Sequence, residues 1–211
     1  MTRLPHRYIA QRLAEGDKGT APEKGAALED VIAKTFCKVP GVGFIWRNKS
    51  NCAGSDEIDM LLYNWRDRLG LPFLPEYLLF ECKNWAKPVN SSTLVTFVEK
   101  IRVRRLEVGI LVAARGITGN GSELRAAKDI IRSAFERDNI TVLVITRAEL
   151  EALRTVKDLV ALIQEKFGEF RGRGFILISD SNESMKSAHA RRSPKKANRA
   201  AKRARRQRPA P

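Results

Sequence analysis

Three side chains in a short stretch of this chain combine two carboxylates with an ammonium: Asp59 in EIDMLLYN, and Glu81 with Lys83 in YLLFECKNW. Both runs are short and rich in apolar residues, so each is expected to be a β-strand, where alternate side chains share a face. Glu81 and Lys83 then project together, while Cys82 turns with Phe80 and Leu78 into the core. An ionised pair on a strand with so apolar a front half is costly unless the two charges pair, bind a metal or face a cleft. By the same alternation Asp59 shares a face with Glu57 and Leu61, and pairing of the two strands brings Asp59 and Glu81 together. Two hard carboxylates with no His or Cys beside them suit Mg²⁺ or Mn²⁺ rather than zinc. Such an ion activates a water and stabilises a pentacovalent phosphate, with Lys83 orienting the water or countering developing charge. The reaction class is phosphodiester hydrolysis. On spacing alone a structural ion pair at a sheet edge explains the same residues.

The elements that position this trio follow from periodicity. Leu28, Val31, Ile32, Thr35 and Phe36 have the spacing of an amphipathic helix that Pro40-Gly41 stops. GFIWRN and EIDMLLYN form consecutive antiparallel strands joined by the turn-forming KSNCAGSD, and YLLFECKNW reads as a central strand. Leu94, Phe97, Val98 and Ile101 mark a second helix, VGILVAA a buried strand, SELRAAKDIIRSAFERD a third helix and NITVLVIT another strand. Helical AELEALRTVKDLVALIQEKF and a short FILIS strand finish the fold. Strands alternating with helices after an opening meander imply an α/β architecture, a mixed β-sheet flanked by helices. Residues 1–23, whose GDKGTAPEKG has the Gly and Pro of a linker, read as a basic N-terminal arm.

GSDEIDMLLYN, then YLLFECKNW followed by KPV, resembles the PD-(D/E)XK phosphodiesterase superfamily, and within it the Mrr-like branch of restriction endonucleases. The resemblance covers roughly Lys24 to Leu153 and includes Glu29, in GAALEDVIAKTF, where that family often carries a helical glutamate. It implies a restriction-endonuclease-like α-β-β-β-α-β core within residues 24–180. It also implies that Asp59, Glu81 and the backbone carbonyl of Cys82 ligate the metal, that Lys83 is the catalytic lysine, and that Glu29 completes or supports the site. Two positions depart from the pattern: Ile58 stands where the motif's proline would precede Asp59, and TFVEK, Thr96 to Lys100, lacks the glutamine that Mrr-like proteins often carry.

The net charge of +15 is uneven. From Lys186 to Pro211 there are eleven Lys or Arg and no Asp or Glu. A segment so charged and so poor in large apolar residues is expected to be disordered when free, giving a basic C-terminal tail over 181–211. The tail suits nucleic acid, with Arg203, Arg205 and Arg206 among its phosphate contacts; RNA or an acidic protein surface is the other fit. Lys100, Arg102, Arg104 and Arg105 surround the end of the second helix, where they either line a DNA-facing surface or complement the helix dipole. Trp46, Trp65 and Trp85 read as packing groups rather than platforms for stacked bases, and RGITGNGSE as a plain strand-to-helix turn rather than a phosphate loop.

No apolar run reaches the roughly 20 residues that span a bilayer, and the start has no secretory pattern, so a cytoplasmic location is expected. Cys37, Cys52 and Cys82, odd in number and without a C-x-x-C pair, support neither a disulfide framework nor a zinc site. The function expected is a Mg²⁺-dependent endonuclease acting on DNA, in restriction of foreign DNA or in repair, as a homodimer or with a partner subunit. A non-catalytic nucleic-acid-binding protein of the same fold and an assembly protein docking through its basic tail are the competing expectations.

Overall fold

The computed structural model describes residues 2–50, 57–117 and 121–173. Its elements, in chain order, are α1 (His6–Lys18), α2 (Ala21–Phe36), β1 (Val42–Ser50), β2 (Glu57–Asn64), β3 (Tyr77–Lys83), α3 (Ser91–Val103), β4 (Val108–Ala113), α4 (Gly121–Asp138), β5 (Thr141–Thr146), α5 (Arg147–Ala152) and α6 (Val156–Arg173). The five strands form one mixed sheet in the order β1-β2-β3-β4-β5. β1, β2 and β3 are antiparallel neighbours, and β3, β4 and β5 run parallel. Helices flank this sheet, so the α/β reading holds. Among the described residues no helix is long and apolar enough to cross a membrane. The FILIS strand and the tail from 181 onward lie outside the described residues.

The sheet is covered on both faces. α2 packs on the face of Phe80, whose ring meets Phe36 edge-on with centroids 4.8 Å apart. α3 covers the other, where Gly109 of β4 stands directly across from Leu79 of β3. A Cβ on Gly109 would overlap Ile101 and Phe97, so only glycine lets α3 lie this close to the strand. β4 is buried along its whole length, as the unbroken apolar run VGILVA requires of a central parallel strand. Asn64 fixes the connection from β2 to β3: its buried amide donates to the carbonyls of Leu71 (2.9 Å), Pro75 (3.1 Å) and Leu74 (3.2 Å).

The N-terminal arm expected over residues 1–23 is corrected. His6–Lys18 is a helix whose Ile9 and Leu13, four apart, are buried in the core. Gly16 marks a close crossing, since a Cβ there would sit 2.6 Å from the Ala27 methyl group. GDKGTAPEKG is a helix-to-helix junction: the Glu23 carboxylate accepts from the Thr20 N–H (2.6 Å) and hydroxyl (2.8 Å), and Pro22 lies in the first turn of α2. The N-terminus is also tied down, with Leu4 N–H donating to the Arg154 carbonyl and Val156 N–H to that of Thr2.

Candidate active site

The site forms where β2 and β3 part. Their pairing runs from Tyr63–Tyr77 to Met60–Phe80 and stops. One step further along that register Asp59 lies across from Glu81, the two on the same face. Backbone pairing gives way there to a side chain, as Asp59 Oδ2 accepts the Cys82 N–H at 2.6 Å. The carboxylate thereby satisfies a buried donor that the departing strand leaves behind. Residues 51–56, with Cys52 and Asp56, lie outside the described residues.

Glu81 is 4% exposed and gains its charge balance from two ammonium groups. Lys83 Nζ is 2.6 Å from its Oε1, and Lys100 Nζ, from α3, is 2.9 Å from its Oε2. The face-sharing expected of Glu81 and Lys83 is thus present, and so is the opposite orientation of buried Cys82. With Asp59 the cluster holds two carboxylates and two ammoniums. Burial, then repulsion from Glu81, pushes the Asp59 carboxyl up to about 6, against the pull of the Cys82 N–H and of Lys83. Lys83 goes the other way: burial opposes its charge, but attraction to Glu81 outweighs that, and its ammonium is held more firmly than usual. A lysine so held is suited to stabilising negative charge rather than to removing a proton.

Glu29 lies on the other side of the sheet. Its carboxylate binds Arg47 Nε at 2.7 Å, while the same guanidinium reaches Asp30 (2.5 Å) and the Ala26 carbonyl (3.0 Å). Arg47 pairs in register with Met60, which pairs with Phe80, so this network sits on the α2 face, opposite Glu81. Glu29 touches the trio only at a distance, through a minor repulsion of Asp59.

The basic group at the end of α3 does not form one surface. Lys100 turns inward to Glu81, while Arg102 pairs outward with Asp138 at 2.7 Å and with Glu99. Arg104 donates to the Lys100 carbonyl at 3.0 Å. Arg105 lines a cavity of about 370 Å³ with Arg66, Tyr77 and Arg171, at the start of β3 and β4. That is the far end of the strand from Lys83, about 20 Å away at 3.3 Å per residue. Arg203, Arg205 and Arg206 lie outside the described residues. Lys100 is the site residue whose role the sequence concealed; its one signal is the three-residue spacing from Phe97, which is buried. The three tryptophans are not packed away, since Trp46, Trp65 and Trp85 are each about half exposed or more.

A metal ion is the remaining question of fit. Among the described residues no three His, Cys, Asp or Glu side chains stand close enough together to hold one. Mg²⁺ is commonly held by one or two carboxylates, with waters and substrate phosphate completing six ligands, and Asp59 with Glu81 is such a pair. The donors fit, provided that an ammonium yields its place on Glu81. No protein-family model matches the chain, and a search of characterised proteins finds no match either.

Proposed function

We propose that this chain is a divalent-metal-dependent endonuclease that hydrolyses phosphodiester bonds in DNA, with a restriction-endonuclease-like core. The observation that carries the reading is a buried carboxylate, Glu81, across from a second, Asp59, at the parting of two strands, with a firmly charged Lys83 beside it. The resemblance of GSDEIDMLLYN and YLLFECKNW to the PD-(D/E)XK superfamily supports the same assignment.

Asp59 and Glu81, with the Cys82 carbonyl, would hold the ion, which when bound supplies Lewis acidity toward the scissile phosphate. Asp59 must be ionised to take part, and its hydrogen bond from the Cys82 N–H fixes the carboxylate's direction. Lys83, fully charged, stabilises negative charge growing on the phosphate oxygens. Lys100 neutralises Glu81 in the metal-free protein and is the ammonium with the freer alternative, being on a different element from the trio. Its release offers a second cation to an incoming phosphate.

One observation favours a non-catalytic nucleic-acid-binding protein instead: both Glu81 oxygens are engaged by lysines. Incubation of the purified chain with supercoiled plasmid, single-stranded DNA and RNA in Mg²⁺, Mn²⁺ or EDTA separates the two readings. DNA cleavage that needs the metal and disappears in Lys83→Ala supports the nuclease. Tight, salt-sensitive binding with no cleavage in any metal supports the binding protein.

A further inference from the structure

Beyond the carboxylates, the carboxyl-terminal ends of β3, β4 and β5 open into a cavity of about 440 Å³, within the size range of small-ligand sites. Asp17, Lys24, Asn84, Trp85, Arg115 and Arg147 line it. Its frame is fixed. Ala114 N–H donates to the Lys83 carbonyl at 2.9 Å, and Asn84 Nδ2 donates to the Lys24 carbonyl at 2.9 Å, joining the ends of β3 and β4 to α2.

The charges in it are not balanced. Arg147 is matched by Asp17 (2.7 Å) and Glu151 (2.8 Å). Asp17 is held below the ordinary carboxylate range by that Arg147 hydrogen bond and, more weakly, by Lys24 and Arg115. Neither Lys24 nor Arg115 is within 4 Å of a carboxylate among the described residues, so two cations look onto a cavity whose lining carboxylates, Asp17 and Glu151, are both engaged by Arg147. The ring of Trp85 links this cavity to the reactive cluster. It is 46% exposed, it lines the cavity, and Lys83 Nζ lies 5.7 Å from its centroid. A planar group stacked in the cavity is therefore one side chain away from the lysine that meets the phosphate.

Cationic walls with an exposed aromatic ring fit a nucleotide, the phosphate answering the charge and the base the ring. We propose that the cavity holds the nucleotide adjoining the cleaved phosphodiester, with its phosphate on Lys24 and Arg115 and its base on Trp85. The inference rests on the nuclease reading above and deepens it. A base that stacks on protein is not stacked in a duplex, so the substrate has unpaired nucleotides at the site of cleavage, as in single-stranded or branched DNA.

Intrinsic fluorescence tests it. The full chain in EDTA is titrated with hexathymidylate and with a short blunt-ended duplex, alongside Trp85→Phe and Arg115→Ala. The hexamer is expected to quench the fluorescence and the duplex to leave it nearly unchanged. Trp85→Phe is expected to remove most of the quench, and Arg115→Ala to weaken binding about tenfold and lower the salt slope by about 0.7. A quench that survives Trp85→Phe, or Arg115→Ala binding within twofold of the parent, overturns the assignment. Cleavage of plasmid in Mg²⁺ without this quench leaves the nuclease standing and removes the nucleotide site. A Trp85-dependent quench without cleavage in any metal does the reverse.

Discussion

Asp59 carries a conflict between stability and its proposed function that a pH series exposes. Its carboxyl is pushed up to about 6 from an ordinary 3.8, so the folded chain holds this proton more tightly than the unfolded one. The contribution of that proton is complete below pH 3.8 and is lost as the pH rises through 6. At 1.36 kcal/mol per unit the loss is about 2 kcal/mol once partial exposure is allowed for. Asp59→Asn keeps an oxygen for the Cys82 N–H and removes the repulsion from Glu81. In metal-free buffer at pH 8 it is expected to raise the melting temperature by about 4 to 8 °C and to abolish cleavage; a melting temperature equal to or below the parent's contradicts the electrostatic account. The Glu81 cluster makes a second demand. Lys100→Ala leaves Glu81 with one ammonium and is expected to cost about 2 kcal/mol in metal-free denaturant unfolding, a deficit that narrows when Mn²⁺ is added. Asp59, Glu81 and Lys83 were legible because a two-residue strand period put two charges on one face of an apolar run. Lys100 and Glu29 were not, because a helix's rotation about its axis is set by packing that the local sequence does not encode. Lys100 turned inward and Glu29 went to Arg47 for that reason.

At the scale of elements, α3 matters because it carries Lys100 to Glu81. Gly109 sets how near α3 lies, and Gly109→Ala is expected to push the helix off β4, lowering stability by about 1–3 kcal/mol and reducing cleavage more than Ile131→Val, a substitution remote from the site. Chemical denaturation with parallel cleavage rates measures both. The strands were readable, since β2, β3, β4 and β5 all lie where alternation or an unbroken apolar run put them. α1 was missed because it offers only Ile9 and Leu13 as large buried apolar groups, and its Gly16 imitates a linker while serving a tight crossing. Leu13→Ala discriminates: a core position loses about 2–5 kcal/mol, whereas a residue of a free arm loses almost nothing.

For the whole molecule the uneven distribution of charge bears on the proposed binding of DNA. If the chain binds DNA as proposed, the eleven cations from Lys186 to Pro211 would act through counterion release, which is blind to sequence, so deleting 186–211 is expected to flatten the dependence of log affinity on log salt by about 0.9 for each phosphate that the tail neutralises. Cleavage at low salt is expected to survive the deletion, because Asp59, Glu81 and Lys83 all lie on the sheet. An equal salt slope with and without the tail removes its role in binding. Which partner the tail would meet was open in the sequence, since a basic segment fits any polyanion.

The most direct trial of the proposed metal-dependent centre is the single-turnover cleavage rate of labelled DNA in Mn²⁺ at pH 8, for the parent chain and for Glu81→Gln with its folding checked by circular dichroism. Removal of a proposed ligand is expected to slow the reaction by about a thousandfold or more, with the parent inactive in EDTA. A Glu81→Gln rate within threefold of the parent, or cleavage that persists in EDTA, would place the chemistry elsewhere in the molecule.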